Sequence, residues 1–167
     1  MIGLEIGRCS GGTGGGADLE IHGMAGHHIR RLHQISTQVF QHRAQQAGFD
    51  LTPVQFAAMD AVNANPGLDQ ASVAALIAYD RATIGGVIDR LARKGYVTRT
   101  TSRQDRRARV VTLTAAGKAV FDAFTPVVAG FQDEILAGLD PDERGRFMSL
   151  LLKAVGSGAA EAAVDSG

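Results

Sequence analysis

The chain has 167 residues, with 17 basic and 17 acidic side chains. This length suits one domain, and a hydrophobic content of 45% is enough for a sizeable core. No apolar run approaches the ~18 residues that a membrane span needs, and the N-terminus does not resemble a signal peptide. The single cysteine, Cys9, excludes an internal disulfide and fits a reducing cytoplasm. Aromatic residues are only 5% of the chain, which disfavours stacking on single-stranded bases.

Both ends of the chain predict flexible tails. Residues 1–25 hold eight glycines, including GGTGGG at 11–16, and ordering so much glycine is entropically costly. Cys9 lies in this tail, and we interpret it as an idle thiol rather than a redox sensor because nothing nearby would stabilise a thiolate. Residues 156–167 (GSGAAEAAVDSG) predict a second tail. The folded domain is therefore expected over 26–155.

Residues 27–47 predict a first helix whose apolar side chains recur at spacings of three and four. Its stripe consists of Ile29, Leu32, Ile35, Ser36, Val39 and Phe40. Advancing ~100° per residue places His33 beside Phe40, with Arg30 and Thr37 further round on the same flank. We expect Arg30 and His33 to lie at the edge of an apolar pocket, and Arg31 to lie on the far side of the stripe.

Three helices follow, each with a local start signal. Thr52 and Gln55 predict a capping box, with Pro53 at the first helical position. Asp69 is expected to cap a third helix that extends to Ala78, and Asp80 a fourth. The expected buried side chains are Phe56, Met59 and Val62, then Val73, Leu76 and Ile77, then Ile84, Val87, Ile88 and Leu91.

The fourth helix, which Gly95 is expected to terminate, carries two adjacent glycines opposite its apolar face. Gly85 and Gly86 each cost about 1 kcal/mol relative to alanine in a helix interior. A close helix–helix crossing is one explanation. Close approach to a ligand surface is the other, and it is at least as good an explanation because both glycines lie away from the apolar stripe.

Residues 96–101 and 109–113 predict two strands joined by the loop 102–108. Thr114 is expected to cap a long fifth helix that reaches about Ala137, with a kink at Pro126. A last helix follows Asp140, with Phe147, Leu150, Leu151 and Val155 apolar. The predicted fold is mainly α with a small β-hairpin wing: a winged helix-turn-helix over about 51–114, flanked by dimerisation helices at about 27–47 and 115–155. The broad apolar faces of these flanking helices predict a homodimer.

Positive charge is concentrated in one part of the chain. The window from Arg81 to Arg109 contains nine basic and two acidic residues, a net charge of +7, and the rest of the chain therefore carries −7. A neutral protein with this distribution is suited to meet a polyanion at one surface. We interpret that polyanion as the backbone of double-stranded DNA.

Three segments resemble the MarR family of bacterial transcription regulators, over roughly Gly26 to Val155. They are LTPVQFAAMDAV, LDQASVAALIAYDRATIGGVIDRLARKGYV with its "RL…KG" ending, and RQDRRARVVTLTAAG. The last is the most specific, because wings of this family commonly read Asp-x-Arg followed by a Leu-Thr pair and a glycine. Here those positions are Asp105, Arg107, Leu113, Thr114 and Gly117.

The resemblance implies that the fourth helix enters the major groove and that Arg107 enters the minor groove, held by Asp105. Arg81 and Thr83 are placed for base edges, and most of the other arginines for phosphates. The predicted DNA-binding residues are Arg81, Thr83, Arg90, Arg93, Arg99, Arg103, Asp105, Arg106, Arg107 and Arg109. Lys94 is a further phosphate candidate, although for Lys94 or Arg103 taken alone we prefer a solvated surface charge.

Many members of this family are repressors that small aromatic or phenolic acids release from DNA. The segments GHHIRRLHQ and ANPGLDQASVAALIAYDRATI resemble the branch that answers to aromatic carboxylates. In that branch an arginine of the first helix pairs with the carboxylate, and Arg30 is the matching position. The predicted effector-binding residues are Arg30, His33, Thr37, Phe40, Phe56 and Met59. The alternative is that Arg30 pairs with an acidic residue across the dimer.

Other functional classes fit the sequence less well. A metal sensor is one alternative, but no two of His22, His27, His28, His33 and His42 are three or four residues apart. A winged-helix module that binds protein is another. We expect no enzyme, because no Ser/His/Asp or paired-carboxylate pattern occurs and GGTGGG lacks the flanking strand and helix of a nucleotide loop. No cofactor or metal is expected, and a regulator of this kind would act in the cytoplasm.

Overall fold

The computed structural model describes residues 19–101 and 109–164, with the backbone alone described for Arg109 and residues 157–164. After one turn of 3-10 helix (Glu20–Gly23), the described elements are α1 (Ala25–Gln46), α2 (Pro53–Ala64), β1 (Leu68–Asp69), α3 (Gln70–Leu76), α4 (Arg81–Arg93), β2 (Val97–Thr101), β3 (Arg109–Leu113), α5 (Ala115–Gly130), α6 (Gln132–Ile135) and α7 (Pro141–Val164). The chain is thus mainly helical with a small antiparallel sheet, as the sequence predicted.

Helices α2 to α5 begin at the side-chain caps that the sequence predicted. In the capping box, Thr52 Oγ1 accepts the Gln55 amide at 3.3 Å and Gln55 Oε1 accepts the Thr52 amide at 3.2 Å. Asp69, Asp80 and Thr114 accept amides three residues later at 2.7, 2.8 and 3.0 Å. Each cap satisfies a first-turn amide that has no intrahelical partner, so the local sequence determines where the helices start.

The main core lies between the helices α1 to α5 and the sheet. Its fully buried side chains are Phe124, Met59, Ile84, Ile88, Leu91, Val62, Val73 and Val111. The predicted core face of α4 is confirmed, since Val87 is buried as well. The prediction for Leu76 is wrong, because its side chain is 58% exposed. The reason is that α3 ends at Leu76, and the chain then turns through Ala78 in the left-handed region (φ +54°).

The sheet has three strands in the order β1–β3–β2, all antiparallel. The predicted hairpin is confirmed, with Val97 opposite Leu113 and Thr101 opposite Arg109. Its third strand was not predicted: Leu68 and Asp69 pair with Val111 and Val110. Two residues are too short to show the alternation from which a strand is recognised.

Gly95 ends α4, as predicted. Its φ of +75° lies in the left-handed region, which glycine adopts without steric cost. The amide of Gly95 donates to Ala92 O and the amide of Tyr96 donates to Leu91 O, both at 3.0 Å. These two bonds form a Schellman motif, which reverses the chain directly into β2.

The single fifth helix predicted from Thr114 to about Ala137 is wrong. Helix α5 continues through Pro126 and ends at Gly130, and α6 begins after Phe131. Phe131 is buried, and its ring packs edge-on against Phe40 with centroids 5.8 Å apart. Burial of this ring against α1 explains why the helix breaks at Phe131, although the local pattern of apolar residues does not indicate a break.

The terminal helices are less well covered than the core. Helix α7 continues to Val164, beyond Gly156, where the sequence analysis ended the domain. Large apolar side chains on α1 and α7 are exposed: Ile29, Ile35, Met148, Leu150, Leu152 and Val155. No single described helix is long and apolar enough to cross a membrane. The bent pair of α3 and α4 reaches the required length and composition only when the two helices are taken together.

Candidate nucleic-acid interface and the adjoining cleft

Helices α3 and α4 form the helix-turn-helix, with a bend of 110° between them. The outer face of α4 exposes Arg81, Arg90 and Arg93. Within the described residues, none of these three guanidinium groups has a hydrogen bond or an ion pair. Each is therefore available to a phosphate or a base edge, and the contacts predicted for them with DNA stay a prediction.

Thr83 is exposed at the start of α4, but its hydroxyl is already engaged. It donates to Asp80 Oδ2 at 2.5 Å, and the Thr83 amide donates to Asp80 Oδ1 at 2.8 Å. These two bonds, the hydroxyl first, hold the pKa of Asp80 below its usual range. Thr83 can therefore offer a base its methyl group or its oxygen lone pair without disturbing the cap.

Lys94 and Arg99 are paired within the protein. Lys94 Nζ lies 2.7 Å from Asp50 Oδ2, and the lysine side chain is 26% exposed, so Lys94 is engaged within the protein and is not a solvated charge. Arg99 Nη1 lies 2.5 Å from Asp89 Oδ1. Sequence reasoning missed the partnership with Asp89, which joins two different elements and leaves no periodic signal.

The two glycines of α4 have different surroundings. A Cβ added to Gly85 would lie 3.0 Å from Gln70 Nε2, whereas one added to Gly86 would have no atom within 4 Å. Gly85 is thus explained by packing inside the protein. Gly86 faces open space, so close approach to a ligand surface remains its explanation.

The most specific predicted residues belong to the predicted loop between the two strands of the hairpin. Arg103, Asp105, Arg106 and Arg107 lie outside the described residues. The backbone of Arg109 pairs with Thr101 at the last described position of the hairpin.

A cleft of about 610 Å³ opens between α1, α6 and α7. Apolar side chains from all three helices line it, together with the polar groups of His33, Ser36 and Arg144. Sequence reasoning missed Arg144, whose Nη1 lies 3.0 Å from Asp133 Oδ2 and whose Nε donates to Leu139 O.

Of the six predicted effector-binding residues, His33 alone lines this cleft. Arg30 is exposed, and its Nη1 donates to Gln34 Oε1 at 3.3 Å. Thr37 donates its hydroxyl to His33 O at 2.9 Å. Phe40 and Met59 are buried in the core, and Phe56 stacks on Phe121 with centroids 5.3 Å apart. One protomer therefore does not gather the predicted set at a single surface.

Three histidines near the N-terminus lie close together. The ring of His27 lies 5.3 Å from that of His22 and 5.6 Å from that of His28, between centroids. His28 Nε2 is 2.6 Å from the backbone oxygen of His22. Among the described residues, no group of three His, Cys, Asp or Glu side chains could hold a metal ion.

A helix-turn-helix with an exposed arginine-bearing second helix, followed by an antiparallel hairpin, defines a winged helix-turn-helix DNA-binding protein. The chain belongs to the MarR family of transcription regulators. Residues 49–108 match the sequence profile of that family. Over 135 residues the chain is 32% identical to transcriptional regulator HosA of Escherichia coli O127:H6, covering 81% of this chain and 97% of HosA. Its function is therefore regulatory DNA binding and not enzymatic catalysis.

Two solved structures resemble the fold closely. One is of Bordetella bronchiseptica BpsR, whose DNA binding is regulated by 6-hydroxynicotinic acid; it is 29% identical, with a TM-score of 0.75, covering 82% of this chain and 96% of BpsR. The other is the transcriptional repressor CouR bound to a 23-mer DNA duplex, 28% identical with a TM-score of 0.72, covering 81% of this chain and 95% of CouR.

Proposed function

We propose that the protein is a cytoplasmic, homodimeric repressor that binds a palindromic operator and is released from it by a small aromatic acid or phenol. The observation that carries the proposal is the outer face of α4. It leaves three guanidinium groups without partners among the described residues, inside the window of net charge +7. Free arginines on the second helix of a helix-turn-helix suit phosphate and base contacts in a major groove.

Homodimerisation is supported by the apolar side chains that one protomer leaves uncovered. Ile29 and Leu150 are both 65% exposed, and Leu152 and Val155 of α7 are exposed as well. Large apolar side chains exposed in this number are typical of a protein interface. In a two-fold dimer the same patch covers itself, and two recognition helices are presented to two half-sites.

Release by an aromatic acid is supported by Arg30 and His33. Gln34, the hydrogen-bond partner of Arg30, is neutral, so the positive charge of Arg30 remains uncompensated there. His33 lines the cleft one helical turn away. A carboxylate anchored by Arg30 could place its ring against the apolar wall of the cleft. The regulation of BpsR by 6-hydroxynicotinic acid is consistent with an effector of this class.

A binding screen tests the effector part of the proposal. Purified protein is heated with 6-hydroxynicotinate, 4-hydroxybenzoate or the non-aromatic cyclohexanecarboxylate. A ligand of the folded state raises its melting temperature, and we expect this from an aromatic acid only. Arg30→Ala should abolish the stabilisation and blunt release from DNA, whereas the neighbouring Arg31→Ala should preserve both. Undiminished release from the Arg30→Ala protein would remove Arg30 from the site.

The wing has a separate role in the proposal, in which Arg107 inserts into the minor groove and Asp105 holds it. This role requires a test of its own. Arg107→Ala should weaken binding to a duplex selected from a random pool while leaving the dimer folded. Wild-type binding should also fall steeply with salt, because phosphate contacts release counterions. Weak, salt-insensitive association would instead favour a winged-helix module that binds protein, and bound zinc in the purified protein would favour a metal sensor.

A further inference from the structure

The side chain of Arg99 is directed toward α4, the recognition helix of the helix-turn-helix, and not toward solvent. It lies in β2, and its side chain is 27% exposed. Nη1 donates to Asp89 Oδ1 at 2.5 Å, and Nη2 donates to Gln70 Oε1 and to Gly85 O, each at 3.4 Å. The two longer bonds are near the limit for a hydrogen bond, so the ion pair with Asp89 dominates.

Gln70 extends this contact to the start of the recognition helix. Its Nε2 donates to the backbone oxygen of Arg81, the first residue of α4, at 3.4 Å. The same nitrogen lies 3.0 Å from where a Cβ on Gly85 would be, so no side chain fits between α3 and α4 there without displacing it. One guanidinium thus connects the wing strand, the start of α3 and two positions on α4.

The pairing also changes the charge that DNA meets. Asp89 is the acidic residue in the described part of the basic window, and its side chain is 58% exposed. An unpaired carboxylate among phosphate-binding arginines would repel the DNA backbone. The charge of Arg99 compensates that of Asp89, and Arg99 could reach a phosphate only by giving up this bond.

We propose that Arg99 is a positioning residue for DNA recognition, not a phosphate contact. It fixes the wing relative to the recognition helix and neutralises Asp89, while Arg81, Arg90 and Arg93 remain free for DNA. The pre-organised arrangement lets both elements meet adjacent grooves without a further ordering cost on binding. This role depends on DNA binding but not on the identity of the effector.

A two-by-two set of variants tests the assignment: wild type, Asp89→Asn, Arg99→Ala and the double variant. The probe is a duplex selected from a random pool with the wild-type protein. Asp89→Asn should weaken binding on the order of fivefold when Arg99 is present, because the wing is released. In the Arg99→Ala background the same change should strengthen binding, because it removes an uncompensated carboxylate. A phosphate-contacting Arg99 predicts that Asp89→Asn strengthens binding in both backgrounds.

Arg99→Lys separates the charge of Arg99 from the geometry of its guanidinium group. Lysine keeps the charge but cannot also bond Gln70 and Gly85 with a rigid fork, so it should restore only part of the affinity. Melting temperatures of all variants are measured alongside, to identify any that fail to fold. If the wild type selects no duplex, DNA binding itself fails. If the wild type binds and Asp89→Asn tightens binding in both backgrounds, the positioning role is overturned.

Discussion

The winged lobe, which runs from α2 to β3, and the terminal helices α1 and α7 differ in how completely one protomer buries their apolar side chains. In the lobe, Val73, Ile84 and Val111 are all less than 2% exposed. On the terminal helices, Ile29 and Leu150 are each 65% exposed. The lobe therefore buries its apolar side chains within one protomer, whereas α1 and α7 leave a part of theirs exposed. Damage to the lobe should unfold it, and damage to the terminal helices should first change assembly.

The two regions also use their charges differently. On the terminal helices, Arg43 forms a bidentate ion pair with Glu134, and Arg144 pairs with Asp133. These pairs fasten α1 and α7 to α6 and the turn after it within one protomer. On α4, by contrast, three arginines have no partner among the described residues. The lobe also contains ion pairs, between Arg99 and Asp89 and between Lys94 and Asp50. It differs from the terminal helices in the exposed guanidinium groups of α4, which form no such pair in the described part of the chain and remain available to DNA.

The largest expected effect is on assembly. Leu150→Asp should raise the dimer dissociation constant by about 100-fold or more, because each protomer loses about 1.5–3 kcal/mol of apolar burial and the carboxylate must be desolvated. Sedimentation equilibrium measures it. The matched control is Leu76→Asp, at an exposed leucine of the lobe, which should remain dimeric. If both variants dissociate equally, or neither does, the terminal helices do not form the interface.

The next effect concerns the junction between the two regions. A Cβ on Gly117 would lie 1.9 Å from the backbone oxygen of Tyr96, which cannot move aside as a side chain could. The same oxygen accepts the Thr114 amide at 3.0 Å. Gly117→Ala should destabilise the lobe by about 3 kcal/mol, measured by urea unfolding. A loss below about 1 kcal/mol would mean that α5 shifts freely on the hairpin, which contradicts a rigid lobe.

The features predicted correctly from sequence were those that depend on residues close together in the chain. The caps at Thr52, Asp69 and Asp80 each bond an amide three residues ahead, and the core face of α4 repeats every three to four residues. Such patterns are complete within one element. The basic window was visible for the same reason, since net charge requires no knowledge of packing.

The features that sequence missed are set by distant residues. The break at Phe131 depends on Phe40, and the orientation of Arg99 depends on Asp89 across a turn. Periodicity also does not reveal what covers an apolar side chain. Met59 was predicted at an effector site, yet in the protomer it is covered by the core.

A smaller effect separates stability from function inside the lobe. Gly86→Ala adds a methyl group with no atom within 4 Å, so it should stabilise α4 by about 0.5–1 kcal/mol. The same methyl group should weaken DNA binding several-fold if this face approaches the duplex closely. Gly145→Ala is the matched control, since its methyl group also has no atom within 4 Å but lies on α7 and not on α4. Thermal unfolding of both variants measures the change in stability, and DNA titration measures the change in affinity. Together they show whether the glycine at 86 is needed for folding or for DNA binding. Unchanged DNA affinity in Gly86→Ala would remove the close-approach explanation.

The smallest effect concerns the cap of α3. Hydrogen bonds from Ser72, first its amide and then its hydroxyl, lower the pKa of Asp69 below its ordinary value of 3.8. A lowered folded-state pKa contributes stability above the unfolded value, and this is lost as the pH falls through the folded one. Asp69→Asn keeps an acceptor of similar capping strength but does not titrate, so its stability at pH 7 should stay within about 0.5 kcal/mol of wild type. Between pH 5 and pH 2, wild type should lose more stability than the variant in urea unfolding. A parallel decline would show that this carboxylate plays no part in the acid sensitivity of the lobe.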